Sequence, residues 1–157
     1  MNLTSWRARY TPPSSERRQL LMEYLPGCEY SVDLACYRGE VLAGVSRRKS
    51  LTSPVQTILD RADLIEHSAQ LVAAFGLHGL INVQYKDAQD GSPKLLEINA
   101  RASGGIAMSC LSGLNLPFIA YQACLQDGKR SALPVPSYGL RVAEAPSAFI
   151  VPEWAPQ

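Results

Sequence analysis

Two runs of alternating apolar and polar residues, joined by a polar loop, constrain the fold of this chain more than any other feature. The first run covers residues 79–85 and the second covers residues 94–101, with Gly91 in the loop between them. Alternation with a period of two is typical of a half-buried strand, and a glycine-containing loop between two such runs is typical of a β-hairpin. The sequence therefore predicts an antiparallel hairpin in this region.

Centring this hairpin on residues 90–91 fixes which side chains face each other. Gln84 is then opposite Glu97, and Asn82 is opposite Asn99. Because successive side chains of a strand point to opposite faces, these four polar side chains share one face of the hairpin. The other face carries the apolar members of the two runs, which are Ile81, Val83, Tyr85, Leu96 and Ile98.

The polar face has the chemistry of a magnesium site. A carboxylate flanked by amide carbonyls, as in Gln84, Glu97 and Asn99, offers the hard oxygen ligands that Mg²⁺ accepts. Arg101 follows directly and could contact phosphate groups, because a planar guanidinium matches phosphate oxygens better than an ammonium does. The alternative is an ordinary hairpin with one solvated polar face, which is common in antiparallel sheets.

Residues 82–84 together with residues 96–105, and residues 21–33 upstream of them, carry a resemblance to a known family. The later pair of segments resembles the metal-binding hairpin of ATP-grasp enzymes, especially the carbamoyl-phosphate-synthase-like and carboxylate-amine-ligase branches. The upstream segment resembles the hinge strand of that family and the strand that follows it. The resemblance implies an α+β fold, namely the ATP-grasp C-terminal subdomain, in which helices back an antiparallel sheet.

The resemblance also implies cofactors and residue roles. ATP and Mg²⁺, or Mn²⁺, would be the cofactors, with Gln84, Glu97 and Asn99 as metal ligands and Arg101 as the catalytic residue at the phosphates. In the family, the hinge backbone hydrogen-bonds the adenine edge and a carboxylate accepts from the ribose hydroxyls. The residues expected to bind the nucleotide are therefore Met22, Glu23, Tyr24, Leu25, Glu29 and Arg48.

A second hairpin is predicted from residues 29–37 and 40–48, which alternate on either side of a two-residue turn. With such a turn, Glu29 is opposite Arg48, and any of the basic residues 47–49 could serve phosphate or substrate. The alternative for Glu29 is a surface ion pair between strands, worth under about 1 kcal/mol.

The remaining elements follow from periodicity and from glycine and proline positions. They are a buried strand at 19–25, a helix at 60–75 that stops at Gly76, a short helical run at 106–111, a helix from Asn115, and strands near 139–144 and 148–151. The buried stripe of the long helix is predicted to contain Leu64, Ile65, Ala69, Leu71, Val72 and Phe75. Neither His67 nor His78 has an evident acid-base partner.

Three segments are predicted along the chain. Residues 1–19 form an irregular N-terminal arm, residues 20–130 form the ATP-grasp C-terminal subdomain, and residues 131–157 form a strand and loop extension. ATP-grasp enzymes have a lysine-bearing, glycine-rich flap and a further domain ahead of the hinge. We expect this chain to correspond to the C-terminal half of such an enzyme, with a separate chain as a possible source of the N-terminal half.

The composition of the chain limits the classes of partner that it is expected to bind. The chain has 15 lysines and arginines against 14 aspartates and glutamates, so it has no net charge that would attract nucleic acid or an anionic membrane. No segment approaches the roughly 18 apolar residues of a membrane span, so we expect a cytoplasmic location. The four cysteines have no zinc-like spacing, and we expect reduced, mostly buried thiols.

The expected function follows from the resemblance. The chain would be the ATP- and Mg²⁺-binding portion of a ligase that activates a small-molecule carboxylate as an acylphosphate, which an amine or other nucleophile then attacks. Such chemistry depends on positioning and charge neutralisation rather than on a side-chain nucleophile. The alternative from another class is a non-catalytic nucleotide-binding or interaction module derived from a truncated ATP-grasp enzyme.

Overall fold

The fold is a twisted antiparallel sheet with helices on both faces, and the computed structural model describes residues 22–129 and 132–144 of it. The strands in this part of the chain are β1 (Glu29–Tyr37), β2 (Glu40–Lys49), β3 (Gln56–Leu59), β4 (Gly79–Asp87), β5 (Pro93–Asn99) and β6 (Arg141–Val142). The helices are α1 (Ala62–Ala74), α2 (Ile106–Cys110) and α3 (Leu116–Leu125). The predicted α+β class is confirmed.

The sheet has the strand order β5-β4-β1-β2-β3-β6, and every neighbouring pair is antiparallel. One face, here called the α1 face, packs on α1 through a cluster formed by Tyr30, Val32, Leu34, Cys36, Leu64, Val72, Ile81, Val83 and Tyr85. The other face, here called the α3 face, packs on α2 and α3 through a cluster formed by Ala35, Ala43, Val45, Ile58, Met108, Leu114, Leu116, Ala120 and Val142. β1 contributes buried residues to both clusters and therefore lies at the centre of the molecule.

The hairpin of β1 and β2 forms as predicted. Its turn places Arg38 at φ 45° and Gly39 at φ 86°. Two successive positive φ angles are typical of a type I′ turn, whose twist matches that of the flanking strands. Glycine adopts such an angle without the steric penalty that a side chain brings.

The predicted register of this hairpin is wrong by one residue. Ala35 pairs with Ala43 but Cys36 pairs with Val41, so Leu42 is an extra residue in β2. This bulge makes Tyr30, not Glu29, the partner of Arg48. A shift of one residue moves a side chain to the opposite face of a sheet, which the simple two-residue-turn arithmetic did not anticipate.

The hairpin of β4 and β5 has the predicted register along its polar face. Gln84 pairs with Glu97 and Asn82 pairs with Asn99. A second bulge follows, because Tyr85 pairs with Leu95 rather than with the predicted Leu96. The remaining predicted apolar residues, Ile81, Val83, Tyr85 and Ile98, lie in or against the α1-face cluster as expected.

Three details of the helices and the hinge differ from the predictions. Helix α1 begins at Ala62 rather than at residue 60, and Phe75 follows its end with 66% of its surface exposed rather than lying on the buried stripe. Residues 22–26 form no strand, and Tyr24 is 84% exposed while Leu25 is buried. Pro26, which lacks an N–H, interrupts backbone pairing at this point. Residues 19–21 lie outside the described part of the chain.

The later elements agree with the sequence where they are described. Helix α2 is the predicted short helical run, and Asn115 caps α3 by accepting a hydrogen bond from the Phe118 backbone N–H. β6 lies within the predicted strand at 139–144 and pairs with β3. The N-terminal arm and the predicted strand at 148–151 lie outside the described residues.

Two predictions from composition can be compared with the structure. All four thiols are free, but Cys28 and Cys124 are exposed, so the expectation that the cysteines are mostly buried is wrong. Cys28 precedes β1, and Cys124 lies near the end of α3 with its Sγ 3.5 Å from His78 Nε2. In the described residues, no helix is both long and apolar enough to cross a membrane.

Candidate functional site

The polar residues Gln84, Glu97 and Asn99 of the β4–β5 hairpin, here called the strip, lie on the same face as Asn82. The amide nitrogens of the strip donate hydrogen bonds within this group of residues. Gln84 donates from Nε2 to Asn82 Oδ1 at 3.2 Å, and Asn99 donates from Nδ2 to Glu97 Oε1 at 2.8 Å. Asn82, which is 1% exposed, donates in turn to Ser31 and to other groups of β1. These bonds use the amide N–H groups, so Gln84, Glu97 and Asn99 present oxygen atoms from neighbouring positions.

Lys49 connects this strip to Glu29. Its Nζ lies 2.5 Å from Glu29 Oε1 and 3.1 Å from Gln84 Oε1, and both members of the ion pair are about three-quarters buried. The sequence named Lys49 as one of three candidate basic residues, and the bulge at Leu42 is what places it here. An ammonium group therefore stands beside the oxygen-presenting strip and beside the predicted ribose-binding carboxylate.

Arg48 lies on the opposite face. Its cross-strand partner Tyr30 belongs to the α1-face cluster, and direct partners in a ladder share a face. The placement of Arg48 beside Glu29 is therefore wrong, for the register reason given above. The structure does not bring Arg48 together with Gln84 and Glu97.

The hinge segment is attached to the end of β4. The Gly27 N–H donates to the Asp87 carbonyl at 3.0 Å, and the Asp87 N–H donates to the Cys28 carbonyl at 2.9 Å. The Tyr30 hydroxyl donates to Asp87 Oδ2 at 3.0 Å, and burial together with this carboxylate raises the pKa of Tyr30. These contacts hold the chain just after the predicted adenine-binding residues at the same end of the sheet as Glu29.

Arg101 lies in the exposed loop that follows β5. Its guanidinium donates to the Ala102 carbonyl at 3.0 Å, and no hydrogen bond or ion pair joins Arg101 to the strip among the described residues. The loop ends at Gly105, where an added Cβ would lie 2.5 Å from Arg47 Nη1. A side chain at residue 105 would thus require the buried Arg47 guanidinium to move.

A buried polar network beneath this loop was not foreseen as a unit. Arg47 and Asp33 are each 1% exposed and form an ion pair at 2.7 Å. Arg47 also donates to Ser109 at 2.7 Å and to Ser103 at 3.1 Å, which ties the loop and α2 to the sheet. With these donors committed inside the protein, Arg47 is no longer a candidate for phosphate binding.

A sequence signal for this network exists. Asp33 interrupts a run in which both neighbours, Val32 and Leu34, are apolar, and Arg47 lies in the next strand. A charge in a strand that is covered on both faces is costly unless it is paired. An acidic residue in one such strand and a basic residue in the neighbouring strand therefore indicate a buried ion pair.

Comparison with known proteins decides the family. A family model described as "ATP-grasp in the biosynthetic pathway with Ter operon" matches residues 15–148. The chain belongs to the ATP-grasp family. The resemblance inferred from the hairpin and hinge motifs is confirmed, as is the fold.

Two curated relatives of this ATP-grasp chain are large enzymes. It is 38% identical over 98 residues to carnosine synthase 1 of Gallus gallus, an alignment that covers 54% of this chain and 10% of the relative. It is 32% identical over 146 residues to the carbamoyl phosphate synthase large chain of Clostridium beijerinckii, covering 84% of this chain and 13% of the relative. The chain thus spans about one-eighth or less of the length of these relatives.

A solved structure shares the fold. The L-amino acid ligase from Bacillus licheniformis superposes with a TM-score of 0.51 at 21% identity, covering 66% of this chain and 30% of the ligase. Among the described residues, no three histidine, cysteine, aspartate or glutamate side chains come together as a metal site. A metal site on the ATP-grasp hairpin would therefore depend on one carboxylate and two amide oxygens.

Proposed function

We propose that this chain is the ATP- and Mg²⁺-binding portion of a ligase that activates a carboxylate as an acylphosphate for attack by an amine or another nucleophile. The observation that carries the proposal is the strip of Gln84, Glu97 and Asn99. Its amide nitrogens are held in internal hydrogen bonds, and its carboxylate and amide oxygens come from neighbouring positions on one face, with the Lys49 ammonium at Gln84 Oε1. Membership of the ATP-grasp family supports the same reaction class.

The donor set fits the proposed metal. Mg²⁺ prefers oxygen ligands and is usually held by one or two carboxylates together with waters and substrate phosphates, rather than by a full protein cage. One carboxylate, Glu97, with the oxygens of Gln84 and Asn99 meets that requirement. When bound, Mg²⁺ would supply neutralisation of phosphate charge.

The other residues have roles as positioning and charge groups. Arg101, exposed on the loop after β5, would meet the phosphates from outside the strip. Glu29 would accept from the ribose hydroxyls, and the backbone of residues 22–25 would bind the adenine edge. Lys49, held between Glu29 and Gln84, lies where it can balance negative charge as the triphosphate is positioned.

The test is titration of the purified chain with ATP in the presence and absence of Mg²⁺, using wild type and Glu97→Gln. We expect weak magnesium-dependent binding by wild type. Glu97→Gln removes one ligand charge with little change in shape, and it should weaken that binding at least about tenfold, because even outer partners of metal ligands contribute about 10–100-fold. Glu97 is exposed, so the variant should keep the wild-type melting temperature.

The matched control is Glu66→Gln, which neutralises an exposed carboxylate on α1, on the other side of the sheet. It should bind Mg-ATP as wild type does. Equal binding by wild type and Glu97→Gln would contradict the metal site. Strong carboxylate-dependent ADP release by the chain alone would show that the chain completes its own active site, and would overturn its interpretation as one portion of a larger ligase.

A further inference from the structure

A basic pocket lies at the edge of the sheet where β2, β3 and β6 meet. The pocket has a volume of about 260 Å³, and three basic residues are among those that line it. It is lined by Arg48, Lys49, Ser50, Ser53, Val55, Thr57 and Arg141. No carboxylate is part of this lining, although the chain as a whole has nearly equal numbers of acidic and basic residues.

The strand ladder builds the pocket. Arg48 pairs with Thr57, and Thr57 pairs with Arg141, so these three side chains form a row across three strands on the α1 face. The bulge at Leu42 puts Arg48 into this row. The row lies on the opposite face from Gln84 and Glu97, which makes it separate from the proposed metal strip.

The two arginines have no acidic partner within residues 22–129 and 132–144. The ion pairs in that part of the chain use Arg38, Arg47, Lys49 and Arg61 instead. Like charges in one concave site repel each other. With two arginines and three hydroxyl residues in its lining, the pocket is also not a gap between apolar core side chains. An anion bound between Arg48 and Arg141 would relieve this repulsion.

Two serine hydroxyls of the pocket already accept hydrogen bonds from the backbone. Ser50 Oγ accepts a hydrogen bond from the Thr52 backbone N–H, and Ser53 Oγ accepts one from the Val55 backbone N–H, each at 3.3 Å. A hydroxyl has one proton to donate, and in both serines an acceptor position is already used by the backbone. Their O–H protons are therefore available to a ligand that accepts.

We propose that this pocket binds the phosphate group of a ligand, at a site distinct from the metal-bound nucleotide. Two guanidinium groups and several hydroxyls offer more donors than a single carboxylate can accept, even though the Lys49 ammonium is held by Glu29 and Gln84 on the other face. A phosphate group has three strong acceptor oxygens and a charge close to −2, which matches this set. The proposal concerns the α1 face and does not depend on magnesium binding by Glu97.

The test is a titration of the full chain with inorganic phosphate in magnesium-free buffer, followed by the backbone amide NMR signals of Ser50, Ser53 and Thr57. We expect saturable shifts at these residues. Arg48→Gln and Arg141→Gln should each raise the dissociation constant about tenfold, since a hydrogen bond to a charged group contributes roughly that factor. Both side chains are exposed, so the fold should survive the substitutions.

Two controls make the result specific. Lys94→Gln removes an exposed positive charge from β5, outside the pocket, and should leave phosphate binding unchanged. Acetate at matched ionic strength should give weaker shifts at the same signals, because it has only two oxygens and one charge. Glu97→Gln should bind phosphate as wild type does, which separates this site from the proposed nucleotide site.

The outcomes against the proposal are equally definite. Non-saturable shifts, or an equal loss of affinity in Lys94→Gln and in Arg48→Gln, would show only general attraction between ions. Tighter binding of acetate than of phosphate would assign the pocket to carboxylates and overturn the phosphate assignment.

Discussion

At the scale of single residues, Arg47 shows how a charge can be part of a core. It is 1% exposed, and its guanidinium binds Asp33 while also holding Ser103 and Ser109. Removing charges from water is costly, so a buried pair adds little to stability compared with an apolar replacement. Its specific contribution is geometric, because one side chain connects β1, the loop after β5 and α2.

Breaking this pair on one side should be severe. Arg47→Met leaves the Asp33 carboxylate buried without its cationic partner, although Asn82 and Ser109 still donate to it, and we expect a loss of about 3–5 kcal/mol in the free energy of unfolding. Denaturant unfolding followed by circular dichroism measures it. Arg48→Met, one position along the strand but exposed, is the matched control and should change stability by less than about 0.5 kcal/mol. Similar losses in the two variants would contradict this account of the network.

The thiols should differ sharply in reactivity. Cys36 is 1% exposed, and burial raises its pKa to about 12, whereas Cys28 and Cys124 are exposed. Because the thiolate is the reactive form, Cys36 should resist a disulfide reagent at pH 8 until the protein unfolds. The two exposed thiols should react first, and Cys28→Ser and Cys124→Ser should each remove one rapid equivalent. Rapid labelling of Cys36 in the native protein would contradict the burial.

At the scale of elements, the sequence predicted which strands pair with each other but did not predict where the strands contain β-bulges. Alternation identified both hairpins, and the pairing of Gln84 with Glu97 was obtained from the position of one loop. The bulges at Leu42 and Leu96 could not be foreseen, because a bulged leucine is not distinguishable by composition from a paired one. The side on which Lys49 and Arg48 lie therefore had to come from the structure, and so did the joint burial of Asp33 and Arg47.

The start of α1 should give a measurable pH dependence. Hydrogen bonds from Arg61 to Asp63 lower the pKa of this carboxyl, whose side chain is 49% exposed. A lowered folded-state pKa means that the carboxylate stabilises the protein above its unfolded-state pKa of about 3.9, and that this stabilisation is lost as pH falls through the lower folded value. Asp63→Asn should thus melt below wild type at pH 6, and the difference should disappear at strongly acidic pH.

The control for this pH effect is Glu66→Gln, another carboxylate change on the exposed side of α1. The melting temperatures of wild type and both variants can be compared between pH 2 and pH 7 by differential scanning calorimetry. A gap between wild type and Asp63→Asn that widens as the pH falls would show that the sign of the linkage is wrong.

At the scale of the whole molecule, one sheet separates two hydrophobic clusters that share its strand β1. Leu64 lies in the α1-face cluster and Ile58 in the α3-face cluster, and both are 0% exposed. Since β1 contributes buried residues to both clusters, neither cluster can come apart without exposing part of the other. This arrangement favours a single cooperative unfolding transition.

A matched pair of core truncations tests this cooperativity. Leu64→Ala and Ile58→Ala each remove a fully buried side chain from a different face, and each should cost about 2–5 kcal/mol. Far-ultraviolet circular dichroism and tyrosine fluorescence should give coincident unfolding curves for both variants. Curves that separate in one variant, with one probe unaffected, would indicate that the two layers unfold independently.

The extra residue at Leu42 has a consequence for changes in chain length. The chemical character of Leu42 matters little, because it is half-buried and lies between regular ladder pairs. The presence of this residue shifts the register of the later part of β2 by one position. As a result, Lys49 reaches Glu29 and Arg48 faces the basic pocket. Substitution at residue 42 should therefore be tolerated, whereas deletion would exchange the faces of every later side chain in β2, including Arg47. A graft or chimera of this hairpin needs to conserve the number of residues between the turn and Lys49 more strictly than their identities.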